Sequence, residues 1–303
     1  MRLLVTASTD VGRVRKSNED SYCILENLSS AYLCDGMGGH VAGAQASHFA
    51  IDTLTKTHTH LNDDKLKALD AEFQPTLPIF ARRMIHAIRL ANLRIYNISQ
   101  NRSELQGMGT TIVGISLSEG ISCIAHVGDS RAYRIRDKKI IQMTEDHSWL
   151  NELIHAGKLN KENIKNFPHR NVIIRALGIE NTVKIDIRLD PVKEDDYFLL
   201  CSDGLHDLIS DETIMNTVLA YEDDVEDAIK ALIFKANKAG GKDNITIALM
   251  KVTQLDAPAV QHNFHDTVAE ESTSQLAIEY RLLTDLFGVD ESEAETRPIN
   301  INR

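Results

Sequence analysis

Four acidic motifs, each beside an apolar run, hold the residues of this chain best suited to chemistry: Asp35-Gly36 after run 31–34, Asp129-Ser130 after run 121–128, Asp203-Gly204 after run 197–202, and Asp243-Asn244 before run 245–252. Short apolar runs bounded by turn residues read as buried strands, so each Asp is expected at a strand end facing one shared cleft. Carboxylates gathered in this way repel one another unless a cation holds them. Every candidate ligand is oxygen, so hard divalent ions such as Mg²⁺ or Mn²⁺ fit best, and the chain reads as a metal enzyme.

In Asp35-Gly36-Met37-Gly38-Gly39-His40 three glycines crowd behind one carboxylate. They let the backbone approach an ion and offer the Gly36 carbonyl as a further hard ligand. Upstream, Arg15-Lys16-Ser17-Asn18-Glu19-Asp20 sets a guanidinium four and five residues before two carboxylates. Arg presents a planar fork to phosphate oxygens, while Glu19 and Asp20 are suited to holding metal-bound water. His40 lies nearby in sequence, and a lone His reads first as a structural hydrogen-bonding residue. The chain has no G-x-x-x-x-G-K-[ST] loop, G-x-S-x-G elbow or H-E-x-x-H helix, which leaves nucleotide-loop, serine-hydrolase and zinc-protease readings without an anchor.

Bringing these carboxylates together requires strands that end at one edge. The first third reads as strands 3–7, 22–25 and 31–34, followed by a helix over about 43–61 and a polar connection, 62–74. A second helix is marked by Leu77, Phe80, Met84, Ile88, Ala91 and Ile95 at helical spacing. The middle third switches to a meander of strands 111–117, 121–127, 132–135 and 140–143. Residues 146–168 begin helically at Trp149, Leu150, Leu153 and Ile154 and then turn polar, the pattern of a mobile flap beside the cleft. Strands 183–189 and 197–201 come next, then a helix from near Asp211. A further helix, with Val225, Ala228, Ile229, Leu232 and Ala236 on one stripe, stops at Ala239-Gly240-Gly241 before strand 245–252. Blocks of strands interrupted by pairs of amphipathic helices predict an α+β fold, with two sheets packed face to face and helices outside. A doubly wound parallel sheet would need strict alternation of strand and helix, which is missing.

Composition sets the outer limits. A net charge of −11 disfavours a nucleic-acid partner, which selects a basic face. No run approaches the roughly 20 apolar residues of a membrane helix, and the start lacks a basic segment leading into a secretory apolar stretch. No membrane association and a cytoplasmic location are therefore expected. Cys23, Cys34, Cys123 and Cys201 lie scattered in apolar runs without C-x-x-C spacing and read as reduced core residues. Residues 253–303 hold ten acidic and three basic residues, so −7 of the net −11 sits there. The expected organisation is a catalytic domain over 1–252 and an acidic extension over 253–303. In the extension Leu276, Tyr280, Leu283 and Phe287 share one helical face, which suits either a terminal helix packed on its own domain or a docking segment for a partner.

Taken in order, residues 15–21, 35–40, Gly109-Thr110-Thr111, Val127-Gly128-Asp129-Ser130-Arg131, Asp146-His147-Ser148, Arg175-Ala176-Leu177-Gly178, Ser202-Asp203-Gly204 and Gly241-Lys242-Asp243-Asn244 resemble the successive motifs of the metal-dependent protein phosphatases of type 2C. The resemblance spans about residues 1–252 and implies an αββα sandwich with two Mn²⁺ or Mg²⁺ ions at one edge. It implies that Asp35 bridges both ions, that the Gly36 carbonyl binds one, and that Asp203 and Asp243 bind the other. Glu19 and Asp20 would act through water, and Asp129 with Asp207 would serve a weaker third metal site of the bacterial branch. Arg15 would grip the substrate phosphoryl group. Two cations roughly 3.5 to 4 Å apart acidify a bridging water and offset charge in an in-line displacement, so no protein nucleophile is needed.

Eukaryotic members carry His directly after the Asp-Gly pair as the proposed acid. Here Met37 stands in that place, which leaves metal-held water as the expected proton donor and His40 as a lesser candidate for substrate contact. Met37 and the Asn-Glu-Asp-Ser run are typical of the bacterial branch, whose members oppose Ser/Thr kinases. Phosphorylated proteins as substrates and a cognate kinase as counterpart follow from the resemblance. Two rival readings are an inactive family member acting as a regulatory binding module and a hydrolase of small phosphate esters.

Overall fold

The computed structural model describes residues 1–61, 66, 77–158, 172–222, 224–256, 264–268 and 273–287. Among them, two antiparallel sheets face each other. One is ordered β1 (Arg2–Asp10), β11 (Ile245–Gln254), β10 (Tyr197–Cys201), β7 (Arg131–Arg136), β8 (Lys139–Gln142). The other is ordered β12 (Phe264–Val268), β9 (Ile185–Pro191), β6 (Ile121–Val127), β5 (Ile112–Ser118), β3 (Ser30–Met37), β2 (Asp20–Leu25), with the short β4 (Gly109–Thr110) beside the end of β3. Helices α1 (His40–His60) and α2 (Ile79–Asn101) cover the second sheet, and α5 (Asp211–Ala220) and α6 (Val225–Lys238) cover the first. The short helices α3 (Trp149–His155) and α4 (Asp203–His206) lie between strands, and α7 (Thr273–Phe287) comes last.

Period-two alternation explains why these strands read as continuous apolar runs: both faces are buried, each in a different core. Ala31 and Leu33 of β3, Phe198 and Leu200 of β10, and Ala248 and Met250 of β11 meet between the sheets. Their alternates point outward, Tyr32 and Cys34 into the core under α1 and α2, and Leu199, Cys201, Ile247 and Leu249 into the core under α5 and α6. Each buried Leu, Ile, Phe or Met among them contributes about 1.5–3 kcal/mol by leaving water, so the sandwich holds its strand ends firmly. The helices carry their own start signals. Ser210 accepts from Thr213 N–H at the head of α5, and Asp224 accepts from Asp227 N–H at the head of α6.

Several expected boundaries shift. Helix α2 runs on to Asn101, because Ile98 and Ser99 are still buried, and the strand expected from 183 begins at Ile185. The strand expected over 111–117 is Ile112–Ser118, which pairs with β3 and β6, and just before it Gly109 and Thr110 form a separate short strand against the end of β3. Cys34, Cys123 and Cys201 are buried free thiols, and Cys23 is only half-buried by its surface; burial pushes the Cys23 thiol up to about 12. The flap expected over 146–168 is described to residue 158, where it forms α3 and a turn; its remainder lies outside the described residues.

The described part of the extension packs on its own chain. Strand β12 pairs antiparallel with β9, Phe264 opposite Leu189, and adds an edge to the second sheet. Helix α7 lies against α2, where Leu283 joins Leu90 and Leu93 in a small core. The Arg94 guanidinium stands 3.8 Å from the Phe287 ring centre, and fully buried Glu279 lies 3.5 Å from His86 Nδ1. The side chains of Leu276 and Tyr280 are outside the description. No described helix is long and apolar enough to cross a membrane.

Candidate metal centre

The carboxylates singled out as ligands lie at or within two residues of a strand end, except Asp207, which follows the short helix α4. Asp20 opens β2 and stands directly opposite Asp35 of β3 in the antiparallel register. Asp129 follows β6 by two residues, Asp203 follows β10 by two, and Asp243 precedes β11 by two. The strand ends share one edge of the sandwich, so the groups converge. Asp35 is pushed well above the usual carboxylate range, first by burial and then by the charges of Asp20, Asp203, Asp129 and Asp243. Asp203 is likewise pushed well up by burial and by Asp129, Asp243, Asp207 and Asp20. Burial raises Asp20 and Asp129 to about 6 each. These shifts are the signature of several negative charges held together in a place water reaches poorly.

The backbone around them is clamped. The Asp35 carbonyl accepts from Thr110 Oγ1 and from Thr111 N–H, both at 2.8 Å, and its own N–H donates to Thr111 Oγ1 at 3.1 Å. That is the work of the Gly109-Thr110-Thr111 motif. Gly36 donates its N–H to the Glu19 carbonyl at 3.1 Å. A Cβ on Gly36 would collide with the Gly43 carbonyl of α1, and one on Gly43 would collide with Glu19 Oε2, so two glycines let strand, helix and acidic loop meet. The Asn244 side chain staples the same loop, accepting from Glu19 N–H at 2.9 Å and donating to the Val11 and Ser17 carbonyls at 3.0 Å.

Asp20 is held by hydroxyls. Ser202 Oγ and Thr246 Oγ1 donate to its Oδ2 at 2.9 and 2.5 Å. Because the one Thr246 proton goes to the carboxylate, Thr9 donates to Thr246 at 2.7 Å, and Asn18 Nδ2 in turn donates to Thr9. This relay was not evident from sequence. Its only trace is a pair of hydroxyl residues, Ser202 and Thr246, flanking apolar runs next to the acidic motifs. Arg15 reaches the centre from the opposite side of the loop and donates to Asp243 Oδ2 at 2.7 Å. Asp207 caps α4, its N–H donating to the Asp203 carbonyl, which sets it beside Asp203 and Asp129. His40 begins α1, and its side chain is outside the description.

A cation fits this set. All donors are oxygens, and Asp20 Oδ1 and Asp203 Oδ1 are buried with no hydrogen-bond partner. A buried carboxylate oxygen without a donor is costly, and a divalent ion with its bound water would satisfy both while relieving the mutual repulsion. Glu19 and Gly36 border the same space.

A second cluster does a different job. His126, His147 and Asp186 bring ligand atoms within 4.8 Å of one another. The two imidazoles are stacked, 4.6 Å between centres and 20° between planes. Ring-nitrogen lone pairs lie in the ring planes, so stacked rings cannot both point at one ion, and the Arg175 cation already sits 2.8 Å from Asp186 Oδ1. Burial opposes it, yet the hydrogen bond and charge of His147 hold Asp186 below the usual carboxylate range. His147 Nδ1 accepts from Gly128 N–H at 3.0 Å, its own N–H donates to the Gly128 carbonyl, and its carbonyl accepts from Ile174 N–H. It ties the turn that carries Asp129 to both ends of the 149–172 excursion. Sequence showed the Asp146-His147-Ser148 and Arg175-Ala176-Leu177-Gly178 motifs without this role, and nothing pointed to Asp186.

The protein phosphatase 2C family model matches residues 13–234. The chain is 36% identical over 246 residues to the serine/threonine phosphatase stp of Listeria welshimeri, covering 80% of this chain and 93% of that one. Among solved structures it resembles the serine/threonine phosphatase of S. agalactiae, with TM-score 0.72, 33% identity, and 83% and 100% of the two chains covered. It also resembles the catalytic domain of the phosphatase PstP in complex with two manganese ions, with TM-score 0.68, 31% identity, and 83% and 99% covered. Motif order, the oxygen-lined edge of the sandwich and these matches agree, and the chain belongs to the protein phosphatase 2C family.

Proposed function

We infer that this chain is a metal-dependent protein serine/threonine phosphatase, hydrolysing phosphoserine and phosphothreonine in proteins with Mn²⁺ or Mg²⁺. The observation that carries the reading is the convergence of Asp20, Asp35, Asp129, Asp203 and Asp243, with buried Asp20 Oδ1 and Asp203 Oδ1 lacking any donor. In our assignment Asp35, the Gly36 carbonyl, Asp203 and Asp243 would hold the two ions, Glu19 and Asp20 would act through water, and Asp129 with Asp207 would hold a weaker third ion. When bound, the divalent ions neutralise phosphoryl charge and lower the pKa of water at neutral pH.

The chain's own groups do the rest. Arg15, 44% exposed at its side chain, gives one Nη to Asp243 and keeps its remaining N–H groups for phosphoryl oxygens at the mouth of the site. Met37 has no proton to give, so the leaving Ser or Thr oxygen receives its proton from water rather than from that side chain. The hydroxyl relay through Thr246 and Ser202 keeps Asp20 in place while charge shifts beside it. A cognate Ser/Thr kinase as the opposing enzyme, a cytoplasmic setting, and a catalytic unit over 1–252 with the extension as an added cover belong to the same proposal.

Phosphothreonine-peptide hydrolysis, measured with Mn²⁺, with Mg²⁺ and with chelator, tests it. Activity should require metal, and Asp203→Asn should lose turnover by about a thousandfold or more while keeping its circular dichroism spectrum. Near-normal turnover in a folded Asp203→Asn protein would remove Asp203 from the centre.

A further inference from the structure

Beside the acidic edge lies a cavity of ≈ 450 Å³ whose lining includes Met37, Ile173, Ile174, Ala176, Ile179 and Val183. Met37 ends β3, two residues past Asp35, so the two side chains leave the same face of the strand, about 7 Å apart along it. The mouth of the cavity therefore adjoins the phosphoryl site. A Cβ on Gly109 would come within 2.9 Å of Ile179 Cδ1 and 3.2 Å of Met37 Cε, so the missing side chain at Gly109 lets these two apolar groups approach the strand and each other. Ile174 and Ile179 are 45% and 49% exposed, unusual for isoleucine in a chain that hides most of its large apolar side chains. The lining also carries Arg175, Glu180, Thr182 and Lys184, and of these Arg175 already donates from Nη1 to Asp186 Oδ1. A concavity of mixed lining that presents Met37 and two exposed isoleucines, Ile174 and Ile179, beside the phosphoryl site offers an apolar surface to a bound chain.

We propose that this cavity is a specificity subsite that takes an apolar side chain of the phosphoprotein one or two residues from the phosphorylated Ser or Thr. The inference rests on the phosphatase reading and adds to it a preference among substrates. A polypeptide that places its phosphoryl group at Asp35 continues at about 3.3–3.6 Å per residue, which carries a neighbouring side chain to Met37 and the cavity mouth. Ile174 and Ile179 are the specificity-determining residues.

The test uses the full chain with Mn²⁺ and two sets of phosphothreonine peptides, identical except for Leu or Ser at the positions one and two residues to either side. Wild type should prefer the best-placed Leu peptide in kcat/KM by at least about tenfold, the ratio that burial of one leucine side chain yields. In Ile179→Asp and in Ile174→Ser that preference should fall to within about twofold, chiefly through KM. Because the readout is a ratio within each variant, a general loss of activity does not imitate it. Equal rates on Leu and Ser peptides in wild type, or an undiminished preference in both variants, would overturn the subsite. A protein that hydrolyses no peptide at any metal concentration would overturn the phosphatase reading, and the subsite with it.

Discussion

The contact between α1 and β3 makes a pH-dependent prediction. Tyr32 and His58 bond at 2.6 Å, Tyr32 fully buried and His58 9% exposed, where α1 packs on the strand that ends in Asp35. Burial, followed by the charge of Arg83, holds the His58 imidazole down at about 4, against 6.5 for a free one. A depressed histidine contributes nothing above the unfolded value, where both states are neutral. As pH falls below 6.5 the unfolded chain takes up a proton that the native chain refuses, and stability is lost until the native group also titrates near 4. At pH 5 the imbalance is worth about 2 kcal/mol, and near pH 4 about 3 kcal/mol. His58→Gln keeps an oxygen to accept from Tyr32 but has nothing to protonate. Urea unfolding at pH 7 and pH 5 should therefore show wild type losing about 2 kcal/mol more than the variant. Taking the difference cancels the many other groups that titrate in both proteins, including the acidic centre. If the two proteins lose the same stability within about 0.5 kcal/mol, His58 is not held neutral in the fold and the reasoning fails.

Two further outcomes follow from the geometry. Arg15→Ala removes a charged fork from the mouth of the site and should raise KM for phosphopeptides by about tenfold or more with a much smaller change in kcat; an unchanged KM would take Arg15 out of substrate binding. Ending the chain after Asp256 re-exposes Leu90 and Leu93, which α7 covers, and should lower the melting temperature by several degrees. Small phosphopeptides should still be hydrolysed within about threefold of the wild-type rate at 25 °C, and their loss while the truncated chain remains folded would place the extension inside the catalytic unit.

Much of the fold was legible because both sides of its strands are buried. Runs such as 31–34, 197–201 and 245–252 are apolar at every residue or nearly so, and the helices between them show clear 3.6-residue stripes, so element types could be read with only ends displaced. The ends moved where the last turn depends on a neighbour, as in α2, or where a short run such as Gly109-Thr110 pairs with the end of β3 while the residues after it pair with an earlier stretch of the same strand.

The extension shows a different limit. Its acidic composition set it apart, and its amphipathic face suited two opposite fates. A helix of that length has no preference of its own between a partner and its own domain, and the choice lies with the complementary surface on α2, where Leu90 and Leu93 wait beside His86 and Arg94.

Sequence by itself marked out the atoms our assignment uses: aspartates beside apolar runs, Met37 directly after the Asp-Gly pair, and Arg15 ahead of Glu19 and Asp20. Tertiary structure alone decided how those atoms are held. The hydroxyls that fix Asp20, the Asn244 staple, and the His147 hub tied to Asp186 join residues as much as 233 positions apart. Local patterning reports what each segment prefers, whereas such bonds exist only once distant strands share an edge and water is gone, and no period or spacing along the chain encodes that meeting.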